Sequence, residues 1–173
     1  MKKILALFVV LPCLSMNTLH GQSFWSDRFS YDRAAGTAYE VHEFSLDILG
    51  GYATRDKRGH DKDAFGIGAG VNYFFTRNIG VGADTYADAF NVPYLLNASG
   101  IFRYPIPETG FAPYAFGGFG RQWEYAPQWT GHLGLGLEFR INARTGVFLD
   151  ARRVFAGQTS DYALWRAGVR LGF

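Results

Sequence analysis

Thr130-Gly131-His132-Leu133-Gly134-Leu135-Gly136-Leu137-Glu138-Phe139-Arg140-Ile141-Asn142 alternates without a break. Leu133, Leu135, Leu137, Phe139 and Ile141 fall on one parity; His132, Gly134, Gly136, Glu138 and Arg140 fall on the other. A period of two belongs to an extended strand, whose successive side chains point to opposite faces. The two faces are unlike: one is continuously apolar, the other mixes ionised side chains with glycine. Such a strand separates two different media.

The pattern recurs on both sides of this stretch. Glu43 to Thr54 sets Phe44, Leu46, Ile48 and Tyr52 against Ser45, Asp47 and Gly51. Asp63 to Phe75 sets Phe65, Ile67, Ala69, Val71, Tyr73 and Phe75 against Gly66, Gly68, Gly70 and Asn72. Ile79 to Asp88 opposes Ile79, Val81 and Ala83 to Gly80, Gly82, Asp84 and Tyr86, and Tyr94 to Tyr104 opposes Leu96, Ala98, Phe102 and Tyr104 to Asn97, Ser99 and Arg103. Thr145 to Phe155 sets Val147, Leu149 and Ala151 against Phe148, Asp150 and Arg152. Tyr162 to Phe173 sets Trp165, Ala167, Val169, Leu171 and Phe173 against Arg166, Gly168, Arg170 and Gly172. Phe111 to Tyr125 is less regular, because Phe119 and Trp123 break the parity of Tyr114 and Phe116; a bulge near Gly117-Gly118 would reconcile them.

Alternation alone does not name the solvent, since soluble sandwiches alternate too. The content of the faces decides. A water-exposed polar face would carry Lys, Thr, Ser and Glu, whereas lysine is absent after Lys62. The polar face consists of Asp47, Asp84, Arg103, Glu138, Arg140, Asp150, Arg152, Arg166 and Arg170 among glycines. Guanidinium forks matched to carboxylates suit a closed interior, with the apolar face turned to lipid. The expected fold is all-β: a closed eight-stranded antiparallel up-and-down transmembrane β-barrel over residues 43–173. Slipping the last segment by one residue would place Arg166 and Arg170 in lipid, at about 2–4 kcal/mol each near the midplane, so the register is strongly selected. Arg152 and Arg153 are neighbours, so Arg153 is expected outside, near headgroups.

Tight links follow the second, fourth and sixth segments (Thr76 to Asn78, Ile106 to Gly110, Asn142 to Arg144), and longer polar ones follow the odd segments. That asymmetry is typical of outer-membrane barrels, whose short turns face the periplasm. Aromatic residues gather at two levels: Tyr73, Phe75, Tyr104, Phe139 and Phe173 near the short turns, and Tyr52, Trp123, Tyr125, Trp129 and Trp165 near the long links.

The N-terminus reads differently. Residues 1–22 join Lys2 and Lys3 to an apolar run from Ile4 to Leu14, too short to span a bilayer as a helix, and form a cleavable export signal. The single cysteine, Cys13, lies within it, so no disulfide is expected beyond it. Of 17 Lys and Arg residues these two lysines are the only ones in the signal, which leaves 15 basic against 15 acidic residues and no electrostatic footprint for nucleic acid. Residues 23–42 do not join the repeat. They form an N-terminal periplasmic segment, either loose or docked on the rim or in the mouth through Phe24, Trp25, Phe29 and Tyr31.

With eight alternating segments, asymmetric links and the closing run Trp165-Arg166-Ala167-Gly168-Val169-Arg170-Leu171-Gly172-Phe173, residues 43–173 resemble the small eight-stranded outer-membrane barrel family, typified by the transmembrane domain of outer membrane protein A. The resemblance implies that Val169, Leu171 and Phe173 form the signal read by the barrel assembly machinery. It also implies a bacterial outer-membrane location, contact with outer-membrane lipid, and a monomer. With Phe173 last, the soluble peptidoglycan-binding domain of longer members is not expected.

Three chemical readings compete with a structural one. His132, beside Glu138 and Arg140 on the polar face, is the one strand-borne acid–base candidate; the plainer reading is a hydrogen-bonded barrel histidine. Lipid A deacylases resemble this architecture and carry a His-x-Ser arrangement, but here Leu133 and Gly134 follow His132, and the last three segments hold no serine outside Ser160 in a loop. His60, Asp61 and Asp63 could touch a cation from a loop, a weak signal. The expectation is therefore a non-enzymatic small barrel without cofactor or metal, its polar interior plugged, with a structural envelope role. A lipid-modifying enzyme and a narrow-pore channel are the alternatives.

Overall fold

The computed structural model describes residues 38–55, 64–88, 95–123, 127–157 and 161–173. The signal region, Phe24, Trp25, Phe29, Tyr31, His60, Asp61, Asp63 and Tyr125 lie outside the described residues. Within them are eight strands: β1 (Glu43–Arg55), β2 (Ala64–Phe74), β3 (Ile79–Asp88), β4 (Leu95–Arg103), β5 (Phe111–Gln122), β6 (Gln128–Arg140), β7 (Thr145–Ala156) and β8 (Tyr162–Gly172). Each pairs antiparallel with its sequence neighbours, and β1 pairs with β8 to close the barrel. Closure removes both sheet edges, so every ladder has a partner.

Following one row of cross-strand partners measures the stagger of the strands. The row runs Glu43, Phe74, Gly80, Ile101, Phe116, Gly134, Arg152 and Leu164, then re-enters β1 at Ala53, ten residues beyond its start. The strands are therefore strongly tilted, and eight of them enclose a space that side chains can fill.

Burial follows parity. In β4 every second residue from Leu95 to Arg103 is buried and the others are exposed, and β7 and β8 keep the same alternation. Large apolar side chains project from the outer wall: Ile67, Leu133 and Leu135 are at least 63% exposed, and Phe173 is 75% exposed. An apolar surface that wraps the whole body far exceeds what a water-soluble monomer carries.

The short links are held by local side-chain acceptors. Thr76 Oγ1 accepts from the backbone N–H groups of Asn78 and Ile79, and Asn142 Oδ1 accepts from those of Arg144 and Thr145. Both are the turn-forming bonds that Thr and Asn supply. At the same end Phe173 N–H donates to Phe44 O at 2.8 Å, which extends the β1–β8 seam.

The expected bulge at Gly117-Gly118 is absent. β5 keeps one continuous register with β4 and with β6 through both glycines. The parity conflict has a different cause: β5 carries aromatic residues on both faces. Tyr114 and Phe116 are buried inside, and Phe119 is exposed outside. Their partners across the ladder explain why the inside accepts rings. A Cβ on Gly134 would run into the Phe116 ring, and one on Gly136 into the Tyr114 ring.

Candidate functional site

The nine charged residues expected on the inner face all lie there, within two clusters stacked along the lumen. The first is at the short-turn end. Arg103 Nη2 donates to Glu43 Oε2 at 2.7 Å, and Arg140 bonds both Glu43 and Glu138, the latter at 2.5 Å. Arg170 chelates Asp47 through Nε and Nη2, both at 2.7 Å, and reaches Glu138 Oε2 with Nη1 at 2.5 Å. Three arginines thus meet three carboxylates. The second cluster lies nearer the long links: Arg152 bonds Asp84 at 2.7 Å, and Arg166 bonds Asp150 at 2.7 Å and Asp84 at 3.3 Å. Two arginines meet two carboxylates. Each cluster is neutral, the arrangement under which buried ionised groups are tolerated.

Neutral groups complete both clusters. Asn72 Nδ2 donates to Asp47 and Ser45, Asn97 Nδ2 donates to Asp84, and the Tyr114 hydroxyl donates to Asp150 at 2.7 Å. Aromatic faces support the guanidinium planes. Arg103 lies 3.6 Å from the Phe74 centroid, Arg152 and Arg166 lie 5.0 and 5.3 Å from Phe116, and Arg170 lies 5.1 Å from Phe148. Between the clusters, Asp47, Ser99, Tyr114, Arg152 and Arg170 border a cavity of about 20 Å³, space for a single water. Beyond the second cluster the ionised groups give way to a mixed layer, with Leu49, Tyr86, Leu95, Val154, Tyr162 and Leu164 buried beside Gln122, Gln128 and Thr130. That layer departs from an interior of arginine, acid and glycine alone.

Two members escaped the sequence reading. Glu43 opens β1 and stands in the alternation only as a boundary, yet it anchors two arginines. Tyr39 precedes β1 and is 1% exposed. Its hydroxyl donates to Gly110 O at 2.8 Å across the lumen, and its ring lies 4.6 Å from the Arg103 guanidinium carbon and 5.1 Å from that of Arg140. His42 makes the entry possible by taking the left-handed backbone conformation, φ 58°, unusual outside glycine. Burial pushes the Tyr39 hydroxyl pKa above its ordinary value of 10.0. The end of the 23–42 segment therefore occupies the short-turn mouth through Tyr39, which the alternation does not single out; Phe24, Trp25, Phe29 and Tyr31 lie outside the described residues.

His132 is not grouped with Glu138 and Arg140, which belong to the first cluster. Its Nε2 lies 2.9 Å from Ser99 Oγ of β4. The register shows how they meet: both are ladder partners of Gly118, where an added Cβ would run into the Ala98 carbonyl of β4. So a serine does stand beside the histidine, on a strand where a local His-x-Ser search could not find it. Hydroxyl and imidazole at this distance are the elements of an activated nucleophile. Both are buried, and the bordering cavity has no room for an acyl substrate. Arg153 points outward, half-exposed and 3.7 Å from Asp161.

An apolar outer wall around neutral, filled ion clusters defines a closed eight-stranded barrel of the transmembrane type. Solved structures share that fold. The N-terminal β-barrel domain of OprF from Pseudomonas aeruginosa aligns with a TM-score of 0.64 at 14% identity, over 77% of this chain and 98% of that one. Ail, the attachment invasion locus protein of Yersinia pestis, aligns with a TM-score of 0.57 at 17% identity, over 77% and 99%. A de novo designed transmembrane β-barrel aligns with a TM-score of 0.59 at 13% identity, over 78% and 98%. No protein-family model matches the chain, and no curated protein matches it significantly. The likeness is one of fold, and a designed barrel among its bearers underlines that fold does not assign function.

Proposed function

We propose that the protein is a small bacterial outer-membrane barrel with a plugged lumen and a structural role in the envelope, exported by its N-terminal signal and without enzymatic activity. The observation that carries this reading is the segregation of charge. Ten ionised side chains of the inner face are gathered into two neutral clusters, while the outer wall is apolar around its circumference. A lipid-facing exterior requires the second property, and a lumen closed to ions is favoured by the first. Opening a water-filled path would mean separating paired groups in both clusters, and Tyr39 would still obstruct the short-turn mouth. The likeness to outer-membrane barrels supports the location. In this reading the short turns face the periplasm, and Ser99–His132 is a structural hydrogen bond.

The test is fractionation followed by gel mobility with and without heating in detergent, then planar-bilayer recording. The expected result is an outer-membrane protein whose apparent mass changes on boiling and which carries no steady current. Recovery from the soluble periplasm would refute the membrane reading, and a stable conductance would refute the plug.

A further inference from the structure

Resting on that reading, we infer that the outer wall holds one phosphorylated acyl lipid of the outer leaflet, its chain lying in a groove across β3–β8 and its phosphate on Arg153. The groove is open along its length and offers about 1070 Å³. Two adjacent ladder rows build it. One runs Gly100, Gly117, Leu133, Arg153, Ala163, and the other Phe102, Ala115, Leu135, Ala151, Trp165. Glycine and alanine form its floor, and the leucines, Phe102 and Trp165 form its sides. Because the strands are tilted, the rows climb as they go round, from Ile79 beside a short turn to Ala163 and Trp165 at the long-link end of β8. The groove therefore spans the apolar band obliquely over six strands. A flexible chain can follow such a path; the convex wall of a second copy cannot.

The upper end supplies the charge. Among the outward positions of the described strands, Arg121 and Arg153 are the charged residues, and Arg153 stands on the groove itself. Arg121 is engaged with the Trp129 ring at 5.3 Å. Among the described residues Arg153 has only the long, half-exposed contact to Asp161, the kind of surface pair that contributes little. Its planar fork can take a phosphate in two parallel hydrogen bonds, and Trp165 lines the same end of the groove.

The experiment is native mass spectrometry of the full chain, folded in mild detergent and titrated with phosphatidylglycerol or with diacylglycerol, which has the same chains and no phosphate. Gel mobility with and without boiling confirms folding of each variant, so failure of the barrel reading is seen separately, as a wild type without a heat shift. One phosphatidylglycerol retained per barrel, in preference to diacylglycerol, is expected. Arg153→Gln should weaken retention about tenfold, the loss of one charge-assisted contact, and Ala151→Phe should abolish it by filling the floor. Should Ala151→Phe not fold, Arg153→Gln, at an exposed position, carries the test. Equal retention of both lipids, or a phosphatidylglycerol adduct untouched by either substitution, overturns the inference. A dimer abolished by Ala151→Phe also overturns it, by giving the groove to a second copy.

Discussion

Arg170→Met should be among the costliest single substitutions in the lumen. It removes two hydrogen bonds to Asp47 and one to Glu138. Asp47 keeps only Asn72 at 2.9 Å, and Glu138 keeps Arg140. The first cluster then holds three carboxylates against two arginines, all buried. Taking one partner from a buried pair costs about 3–5 kcal/mol, because the remaining charge loses its compensation without regaining water. Asp47→Asn restores neutrality, so Arg170→Met should cost only about 1–2 kcal/mol in that background, a coupling of about 2 kcal/mol. Urea unfolding in phosphatidylcholine vesicles, followed by tryptophan fluorescence and by the unheated gel band, measures both legs. A single-variant loss below about 1 kcal/mol, or two substitutions that add within about 0.5 kcal/mol, would refute the account of the cluster as a balanced unit.

Leu135→Arg places a cation on the outer wall where Leu135 is 70% exposed, and folding in vesicles should lose about 2–4 kcal/mol; insertion equal to wild type would reverse the assignment of faces. Gly134→Val drives a side chain into Phe116 and the Ala151 carbonyl and should lower stability by about 1–3 kcal/mol, whereas Gly131, with nothing within 4 Å of an added Cβ, should accept alanine within about 0.5 kcal/mol. The raised Tyr39 pKa favours the neutral phenol in the folded state, so its contribution is present below pH 10 and lost as the pH rises beyond it; a stability–pH titration of Tyr39→Phe should lack that alkaline component. Deleting Phe173 removes its backbone bond and ring contact to Phe44 and should slow assembly, read as the time course of the heat-resistant band.

What could be read beforehand followed from parity. A period of two sorts side chains into faces however the strands are later arranged, so the fold and the inward set of charges were legible. Partnerships were legible only in part. Asp47–Arg170 and Asp150–Arg166 are ladder partners, obtainable once β1 is laid against β8 and β7 against β8. Arg103–Glu43 and Arg152–Asp84 cross the lumen between strands that are not neighbours, and only the tilt of the closed barrel brings them together. Phe74, Tyr114 and Phe116 are harder still, because rings suit the lipid face as well as the lumen, and β5 carries them on both. The available signal was the glycine opposite: Gly136 faces Tyr114 and Gly134 faces Phe116 across the ladder. Tyr39 belongs to no alternation, so no pattern announced it.

The sequence distances spanned by these ion pairs bear on how the molecule is made. Arg170 and Asp47 lie 123 residues apart, Arg140 and Glu43 97, and Arg152 and Asp84 68. A sheet built hairpin by hairpin would carry unmatched guanidinium and carboxylate groups on its inner face until its first and last strands met. Each partial sheet would then rank well above both the unfolded chain in water and the finished cylinder in the bilayer. Seam closure becomes the step at which most of the electrostatic debt is settled at once, which makes folding all-or-none and discourages half-built sheets from lingering in the membrane.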